Sequence, residues 1–554
     1  MRNKLFLTMI VISFLGTEVT NVHAQQVKVT EGPALENDRD SKMNRMINGD
    51  ENNFYCYRVR SKGKGTSFIV EKYDKKSLKP VFSKEIDLGE DRTVVEDVEF
   101  AMDNIYVFSR HYDKNADKMT LSSQTVSASG QVNNKKTELV TVKSDHYEFV
   151  DFDVTLNPAK TKFMIKTSHK PNKEGKFKTD FDLVSTSGMK KEWTKTVNVK
   201  LFSKSDNMFA SGMMAAFGLG GFSFRNEIGF LGLLLDDNDN VYYGYLEEAK
   251  NSTEKAERYQ FKLGVFTPAM NEPKLVDLKF DDDYWVKDIE FSKTKNDELV
   301  IGGFLKDVIE RKGRDLVKVG IFSFTVNLTT YAVVSHPVKM FDEKMLTALE
   351  SNPKRSRYFK YKLDYILPAG DAVFYVGEQY REQYVNTRSS MGGSSGYWEY
   401  EYMDVIVAKL NAKGEFEWIS NAPLRNEVKM PYSHVFKQYF AVATEKNIYL
   451  FNNDHPKNLE RYEKSTFEPR DLKSVSGIHG SSFVFSSVST ANGAVKHKLI
   501  MENETYCFAP IQERNPQFIP PSESEIFVPG ANNELYVYTE DRGKDRFTKL
   551  TITE

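Results

Sequence analysis

Short apolar runs separated by turn-forming residues recur along nearly the whole chain, and the clearest example lies over 361–418. Tyr361-Lys-Leu-Asp-Tyr-Ile is half apolar, Pro368-Ala-Gly-Asp371 reads as a turn, and Ala372-Val-Phe-Tyr-Val-Gly-Glu is a second apolar run. After an insert come Asp404-Val-Ile-Val-Ala-Lys-Leu410, Asn411-Ala-Lys-Gly414 and Glu415-Phe-Glu-Trp-Ile419. β-Branched and aromatic residues fill the runs and Gly, Asn, Asp and Lys fill the gaps, so the stretch predicts four strands with a tight turn after the first and third.

A turn followed at once by a short aromatic or β-branched run occurs at Asn53, Asn104, Lys162, Asn240, Glu298, Ala372, Asn447 and Glu534. Before most of them lies another apolar run, such as Val95-Glu-Asp-Val-Glu-Phe100 or Val286-Lys-Asp-Ile-Glu-Phe291, so each pair predicts a β-hairpin. Further on, a strand ending in Gly recurs at Gly130, Gly188, Gly414 and Gly493, where glycine supplies the positive φ of a tight turn into a fourth strand. The first and fifth units carry looser versions around Phe68-Ile-Val-Glu-Lys-Tyr73 and Val319-Gly-Ile-Phe-Ser-Phe324. Four-stranded units repeating every 50–90 residues or about that predict an all-β fold, a β-propeller of eight blades, or seven if the terminal units merge. A string of unrelated β-sandwiches is the competing architecture, but no Pro/Gly/Ser linker divides the units. The last unit stops one strand short, and Gln26-Val-Lys-Val-Thr30 is a spare strand that can finish it and close the ring.

Three insertions interrupt the pattern. The segment 208–224 is rich in Met, Gly, Ala and Phe and is expected to fold back on the body. Helical spacing over 342–358, ended by Asn352-Pro353, predicts a short helix. The segment 380–402 holds Ser389-Ser-Met-Gly-Gly-Ser-Ser-Gly396, expected to be a mobile loop, and then Tyr397-Trp-Glu-Tyr-Glu-Tyr402, a strand extension or contact surface.

Residues 1–24 read as a cleaved signal peptide: Arg2 and Lys4, an apolar run too short to span a bilayer, then Val22-His23-Ala24. No cysteine follows that run to carry a lipid, and no other run is long and apolar enough to cross a membrane. The expected location is the periplasm or beyond. The leader carries Arg2, Lys4 and Glu18, a net +1, so the formal charge of −2 becomes −3 without it. Both signs are interleaved, which argues against a nucleic-acid partner. Cys56 and Cys507 are the two cysteines. With a complete blade between them in an eight-bladed ring they are expected to be free thiols; in a seven-bladed ring a disulfide becomes the better reading.

The sixth unit resembles exported β-propeller proteins of Bacteroidetes bacteria through Gly377-Glu378-Gln379-Tyr380, Asp404-Val-Ile-Val-Ala-Lys409 and Gly414-Glu-Phe-Glu-Trp418, over 361–426. The resemblance implies a periplasmic or extracellular propeller and brings no activity or site residues with it.

Candidate chemistry is sparse. Gly392-Gly-Ser-Ser-Gly396 has the spacing of a hydrolase nucleophile elbow but lacks the strand–turn–helix setting. Asp236-Asp-Asn-Asp-Asn240 is dense in oxygen ligands for Ca²⁺ but sits where a hairpin turn is required, and Asp281-Asp-Asp283 is a weaker case. Scattered histidines, no Cys pair and no phosphate loop leave no catalytic, cofactor or metal residue to nominate. The expectation is therefore a non-enzymatic binding or scaffolding protein with a protein or glycan partner on its rim loops, the oligomeric state left open. The alternative is a glycan- or peptide-acting hydrolase or lyase using carboxylates in the channel. A deep pocket with convergent carboxylates favours the enzyme; a broad aromatic rim favours the binder.

Overall fold

The computed structural model describes residues 26–35, 41–62, 65–89, 93–144, 150–169, 171–201, 230–248, 259–281, 284–286, 289–307, 319–342, 345, 360–388, 394–430, 438–464, 471–475, 481–501, 505–506, 527–541 and 544–553. Their backbone forms eight antiparallel sheets. Six have four strands, and in each the strands pair in chain order, so every one is a four-stranded meander. In the fifth sheet the first strand is split into Tyr284–Val286 and Glu290–Lys293 and the last into Val333–Ser335 and Val338–Met340. The eighth is built differently: Phe527–Pro529 and Thr505–Tyr506 flank one side of Glu534–Asp541, Lys544–Thr553 follows, and the N-terminal strand Gln26–Glu31 is the outermost member. The sheets are blades 1 to 8 in the order of their hairpins, and the first strand of each is its inner strand.

Seven hydrophobic clusters join these sheets into a closed ring. Six of them each bridge one pair of successive blades, from 1 with 2 through 6 with 7. The seventh unites blades 7, 8 and 1. Phe547 of blade 8 lies 4.9 Å from Phe54 and 4.5 Å from Tyr73 of blade 1, while Phe527 stacks on Phe440 of blade 7 at 4.4 Å. Aromatic pairs at such separations add edge-to-face and offset contacts to simple burial, so blade 8 is wedged on both sides. Closure itself is an antiparallel ladder from Gln26–Thr553 to Glu31–Thr548, continued by Gly32 N–H to Phe547 O at 2.8 Å and Leu35 N–H to Asp545 O at 2.7 Å. The fold is an eight-bladed β-propeller whose last blade is completed by strand Gln26–Glu31.

The turns follow the expected chemistry with two instructive departures. Gly130, Gly188, Gly414 and Gly493 hold φ between +73° and +85°, the left-handed conformation that only glycine adopts without steric cost. In blades 1 and 5 the left-handed turn residue is instead Leu78, at φ 56°, and Tyr331, at φ 58°. Leu78 is buried in the cluster that closes the ring, and that burial offsets the cost of its backbone.

The inner strands of blades 1, 2, 4 and 6 each carry a register irregularity, at Asn44, Glu96, Leu231 and Asp364. A bulge re-aims the extra side chain. In blade 2 it buries Glu96 against Arg110 Nε at 2.8 Å, and Arg110 also reaches Val150 O, at the start of blade 3. In blade 6 it places Asp364 where Tyr439 Oη of blade 7 donates to it at 2.8 Å. Asp364 thus ties its blade directly to the next one, and Glu96 orients the arginine that does so in blade 2.

Several expectations fall outside the described residues: the leader 1–24, the insertion 208–224, nearly all of 342–358, and Cys507. Within the third of these, Asp342 Oδ1 accepts from the Met345 N–H at 2.7 Å, as at a helix start. Cys56 is a free, fully buried thiol whose Sγ points to Glu71 Oε2 at 3.5 Å; burial and that carboxylate push it well above the usual thiol range. Of the Gly/Ser run 389–396, expected to be a loop, Ser394, Ser395 and Gly396 are strand and 389–393 lie outside the described residues, while Tyr397–Tyr402 form the strand extension that their alternation predicts.

Candidate functional site

Blade 6 is built from strands Ala372–Arg388, Ser394–Leu410 and Phe416–Met430 beside the shorter inner strand Lys360–Ala369. The described part of the inner strand begins at Lys360, opposite Tyr380. The other three continue, pairing as far as Arg388–Ser394 on one side and Trp398–Met430 on the other. Blade 6 thus projects a tongue past the ring, on the face that carries the second-to-third-strand loops. Its residues alternate in the way a two-faced sheet requires. Directly opposed residues share a face, so Tyr380 with Tyr402, Tyr400 with Val428 and Tyr384 with Trp398 make one aromatic side. Tyr380, Tyr400, Tyr402 and Val428 are buried in the core between blades 6 and 7, and Trp398 packs against it. Tyr384 is 48% exposed, 5.4 Å from Trp398 between ring centroids, and its ring lies over Gly396, where a Cβ would come within 2.2 Å of Tyr384 Oη. The reverse side is charged: Arg381 pairs with Glu401, and Lys429 bridges Glu427 at 2.8 Å and Glu399 at 3.3 Å.

A second element braces the tongue. After strand Asn447–Asp454 of blade 7, His455 caps a short helix, Pro456–Tyr462, whose first residue is proline, as a helix start favours. Fully buried Asn458 donates to Asp454 Oδ1 at 2.7 Å and to Lys473 O at 2.8 Å, and its Oδ1 accepts from Lys473 N–H at 2.8 Å. The chain then reaches blade 6: Val475 N–H donates to Arg425 O and Glu427 N–H to Val475 O, each at 2.8 Å. This strap covers the outer edge of blade 6 where the tongue leaves the ring.

Between tongue and strap lies a buried charged cluster. Irregularities at Met403 and at Leu424-Arg425 fold the Arg425 side chain inward, where Nη1 donates to Asp404 Oδ1, Met403 O and Leu424 O. The two side chains of this ion pair are 4% and 0% exposed, so neither charge has water to fall back on. Asn421 Nδ2 donates to Asp404 Oδ2 at 3.2 Å. Burial raises the Asp404 carboxyl to about 6, against the opposing pull of Arg425, Asn421 and the Leu424 N–H. Asp454 accepts from His455 N–H, Asn458 Nδ2 and Tyr462 Oη, all at 2.7 Å, and burial raises it likewise to about 6. Tyr462 stacks on His497 at 3.9 Å, and burial lowers that imidazole to about 4, so it is neutral at pH 7.

Linkage sets the sign of the pH dependence. Both aspartates hold a proton more tightly when folded than at the ordinary value of about 3.9. Their contribution to stability is fully present below that value and is lost as pH rises through about 6. Asp180 works the other way: despite burial, His169, Lys178 and Thr196 hold it well below the usual carboxylate range. Comparison with single variants isolates the pair. Between pH 4.5 and 7.5 or so, the parent is expected to lose about 1–3 kcal/mol of urea-unfolding stability relative to Asp454→Asn. A gap constant across that range contradicts the shift.

Among the described residues, three further carboxylates of the inner strands are held by cations. Arg45 of blade 1 donates to Asp97 at 2.6 Å and Glu99 at 3.0 Å in blade 2, and Lys166 pairs with Asp153 in blade 3. Two open surface depressions, of 340 and 390 Å³, lie on the opposite face beside Asp371, Lys409, Glu445 and Asn533. Of the motifs picked out from sequence, Asp236 serves its hairpin turn: Oδ1 accepts from Asn238 N–H and Asn240 N–H at 2.9 Å, and Lys293 lies 3.2 Å from Oδ2. Asp281 is exposed, and the rest of its acidic run lies outside the described residues. Ser394, Ser395 and Gly396 open strand Ser394–Leu410, so no helix follows them and the elbow geometry is not formed.

No family model matches the chain, and no curated protein matches it. Among solved structures it is similar to the β-propeller domain of the Trilobed protease from Pyrococcus furiosus, at 6% identity over 84% of this chain and 97% of that one, with a TM-score of 0.34. It is also similar to the WD40 domain of SCAP from fission yeast, at 8% identity over 95% and 94%, with a TM-score of 0.38. A third likeness is to the polysaccharide lyase Uly1, at 9% identity over 74% and 86%, with a TM-score of 0.37. Similarity at this level carries no activity over to this chain.

Proposed function

We propose that the protein is an exported, non-enzymatic binding or scaffolding propeller of the bacterial envelope, and that it engages a protein or glycan partner through the face bearing the tongue and strap. The supporting observation is the tongue itself: a sheet extended beyond the ring, aromatic on one side and ending in the exposed Tyr384. The two carboxylates raised to about 6 support the same reading, because Asp404 and Asp454 are sealed under the strap, out of reach of a substrate. The leader 1–24 and the resemblance of 361–426 to exported Bacteroidetes propellers support the location. The test is site-specific photo-crosslinking in intact cells, with the crosslinking amino acid at Tyr384 or at Lys413, in a turn of the same blade on the opposite face. A discrete adduct from position 384 and none from 413 is expected. Turnover of an envelope polysaccharide or peptide that Asp404→Asn abolishes would overturn the proposal in favour of the enzyme.

A further inference from the structure

The strap is anchored at two places, and a buried carboxylate lies beneath each. Helix Pro456–Tyr462 is held on Asp454, which is 1% exposed. His455 N–H, Asn458 Nδ2 and Tyr462 Oη all donate to that carboxylate, so one side chain fixes the helix at its start, middle and end. Asn458 carries the hold on to 471–475 through its two bonds with the Lys473 backbone. The second anchor is the Arg425 carbonyl, which accepts from Val475 N–H, and the guanidinium of the same residue sits on Asp404. Two of the three donors on Asp454 belong to the helix, so lifting the helix replaces them by water. Water stabilises an ionised carboxylate better than a buried site does. Seating of the strap is thereby linked to retention of a proton on Asp454.

From this arrangement we infer that the strap is a latch, seated on blade 6 while Asp454 holds a proton and released when that proton is lost. The sign follows from burial, which raises Asp454 to about 6 in the seated strap, against about 3.9 for a hydrated aspartate. The contribution of the proton to seating is fully present below about 3.9 and is lost as pH rises through about 6. The charged and titratable groups around Asp454 are Arg425 and Asp404 of blade 6, His455, Lys457, Arg461 and Tyr462 of the helix and its cap, Lys473 beyond it, and His497 of strand Val495–Met501. The two histidines act in the opposite sense. Burial holds His497 at about 4, and burial with Lys473, Lys457 and Arg461 lowers His455. His455 Nδ1 accepts from Lys457 N–H at 3.1 Å, so its protonation would loosen the helix in acid. Release of the latch frees the Arg425 carbonyl and the Glu427 N–H at the root of the tongue. This inference stands apart from the binding reading above.

Amide hydrogen exchange of the full chain from about pH 5 to about pH 7.5 tests this, with each rate divided by the intrinsic amide rate at the same pH. The Val475 and Glu427 amides, which make the two bonds between strap and blade 6, are expected to open about tenfold more at the upper end of that range. In Asp454→Asn the rise is expected to vanish. A second measurement needs the parent alone: at both ends of the range, buried amides of blade 3 such as Ile165 are expected to exchange at least about tenfold more slowly than the strap, because the latch opens without unfolding the ring. Strap opening that does not change with pH in the parent overturns the inference, and so does a rise that Asp454→Asn retains. Opening that falls as pH rises overturns it in favour of control by His455. Strap and blade 3 amides exchanging together overturn it in favour of global unfolding.

Discussion

Replacing Arg425 by methionine is expected to lower the unfolding free energy by about 3–5 kcal/mol, because it leaves a buried carboxylate with no cation to offset it. Asp404 has 0% side-chain exposure, and its other donors, Asn421 and the Leu424 N–H, are neutral. The loss extends beyond one ion pair. The same guanidinium bonds Met403 O and Leu424 O across the irregular strands at the root of the tongue, and the Arg425 carbonyl receives the strap through Val475. Denaturant unfolding measures the total, and exchange of the Val475 amide reports the strap alone. The double variant Asp404→Leu with Arg425→Met should recover most of the loss, since an apolar pair needs no compensation. A single variant as stable as the parent would mean that the cluster is not sealed.

The second large effect is expected at ring closure. Removing residues 26–31 deletes a six-pair ladder, exposes the edge of Lys544–Thr553, and uncovers the core that Val27 and Val29 pack against. Net backbone hydrogen bonds at about 0.5–1.5 kcal/mol each, with two half-buried valines, give a loss of about 4–6 kcal/mol. Because blade 8 is wedged between blades 7 and 1, its amides should exchange faster than those of blades 3 and 4 in the shortened chain. The freed edge should also promote association, read as a concentration-dependent rise in mass. A deletion that leaves stability and mass unchanged would mean that the ring closes by side-chain packing alone.

Much of this architecture is legible in the chain because strands declare themselves locally. Runs such as Asn104-Ile-Tyr-Val-Phe and Asn447-Ile-Tyr-Leu-Phe are bounded by turn formers, and all eight are second strands of blades. Fourth strands are announced by glycine in blades 2, 3, 6 and 7. They are silent in blades 1 and 5, where Leu78 and Tyr331 take the left-handed turn under tertiary constraint. Over 380–402 the alternation from Tyr397 to Tyr402 was visible, but the Gly/Ser run concealed that both flanks are strand with only 389–393 between them. The charged cluster is harder to foresee. Asp404 and Arg425 meet because bulges shift two strands out of register, and periodicity does not show where a bulge falls. The strap had one local signal, a proline at the first helical position just after Asp454-His455. Its docking on blade 6 depends on contacts between segments far apart in the chain.

The most direct test of the account is to shorten the tongue and ask whether the protein still binds. Joining Gln383 to Glu399 through an Asn-Gly turn removes Tyr384 and Trp398 and retains the Lys360–Tyr380 pair, buried Tyr400, the Asp404–Arg425 cluster and the strap. Co-sedimentation with isolated envelopes of a Bacteroidetes bacterium is then compared for the parent and shortened proteins. The predicted result is a protein that still unfolds in one cooperative transition, lowered by the loss of Trp398 from the core, and that no longer sediments. A shortened protein that melts and sediments like the parent would contradict the assignment of the binding face to the tongue.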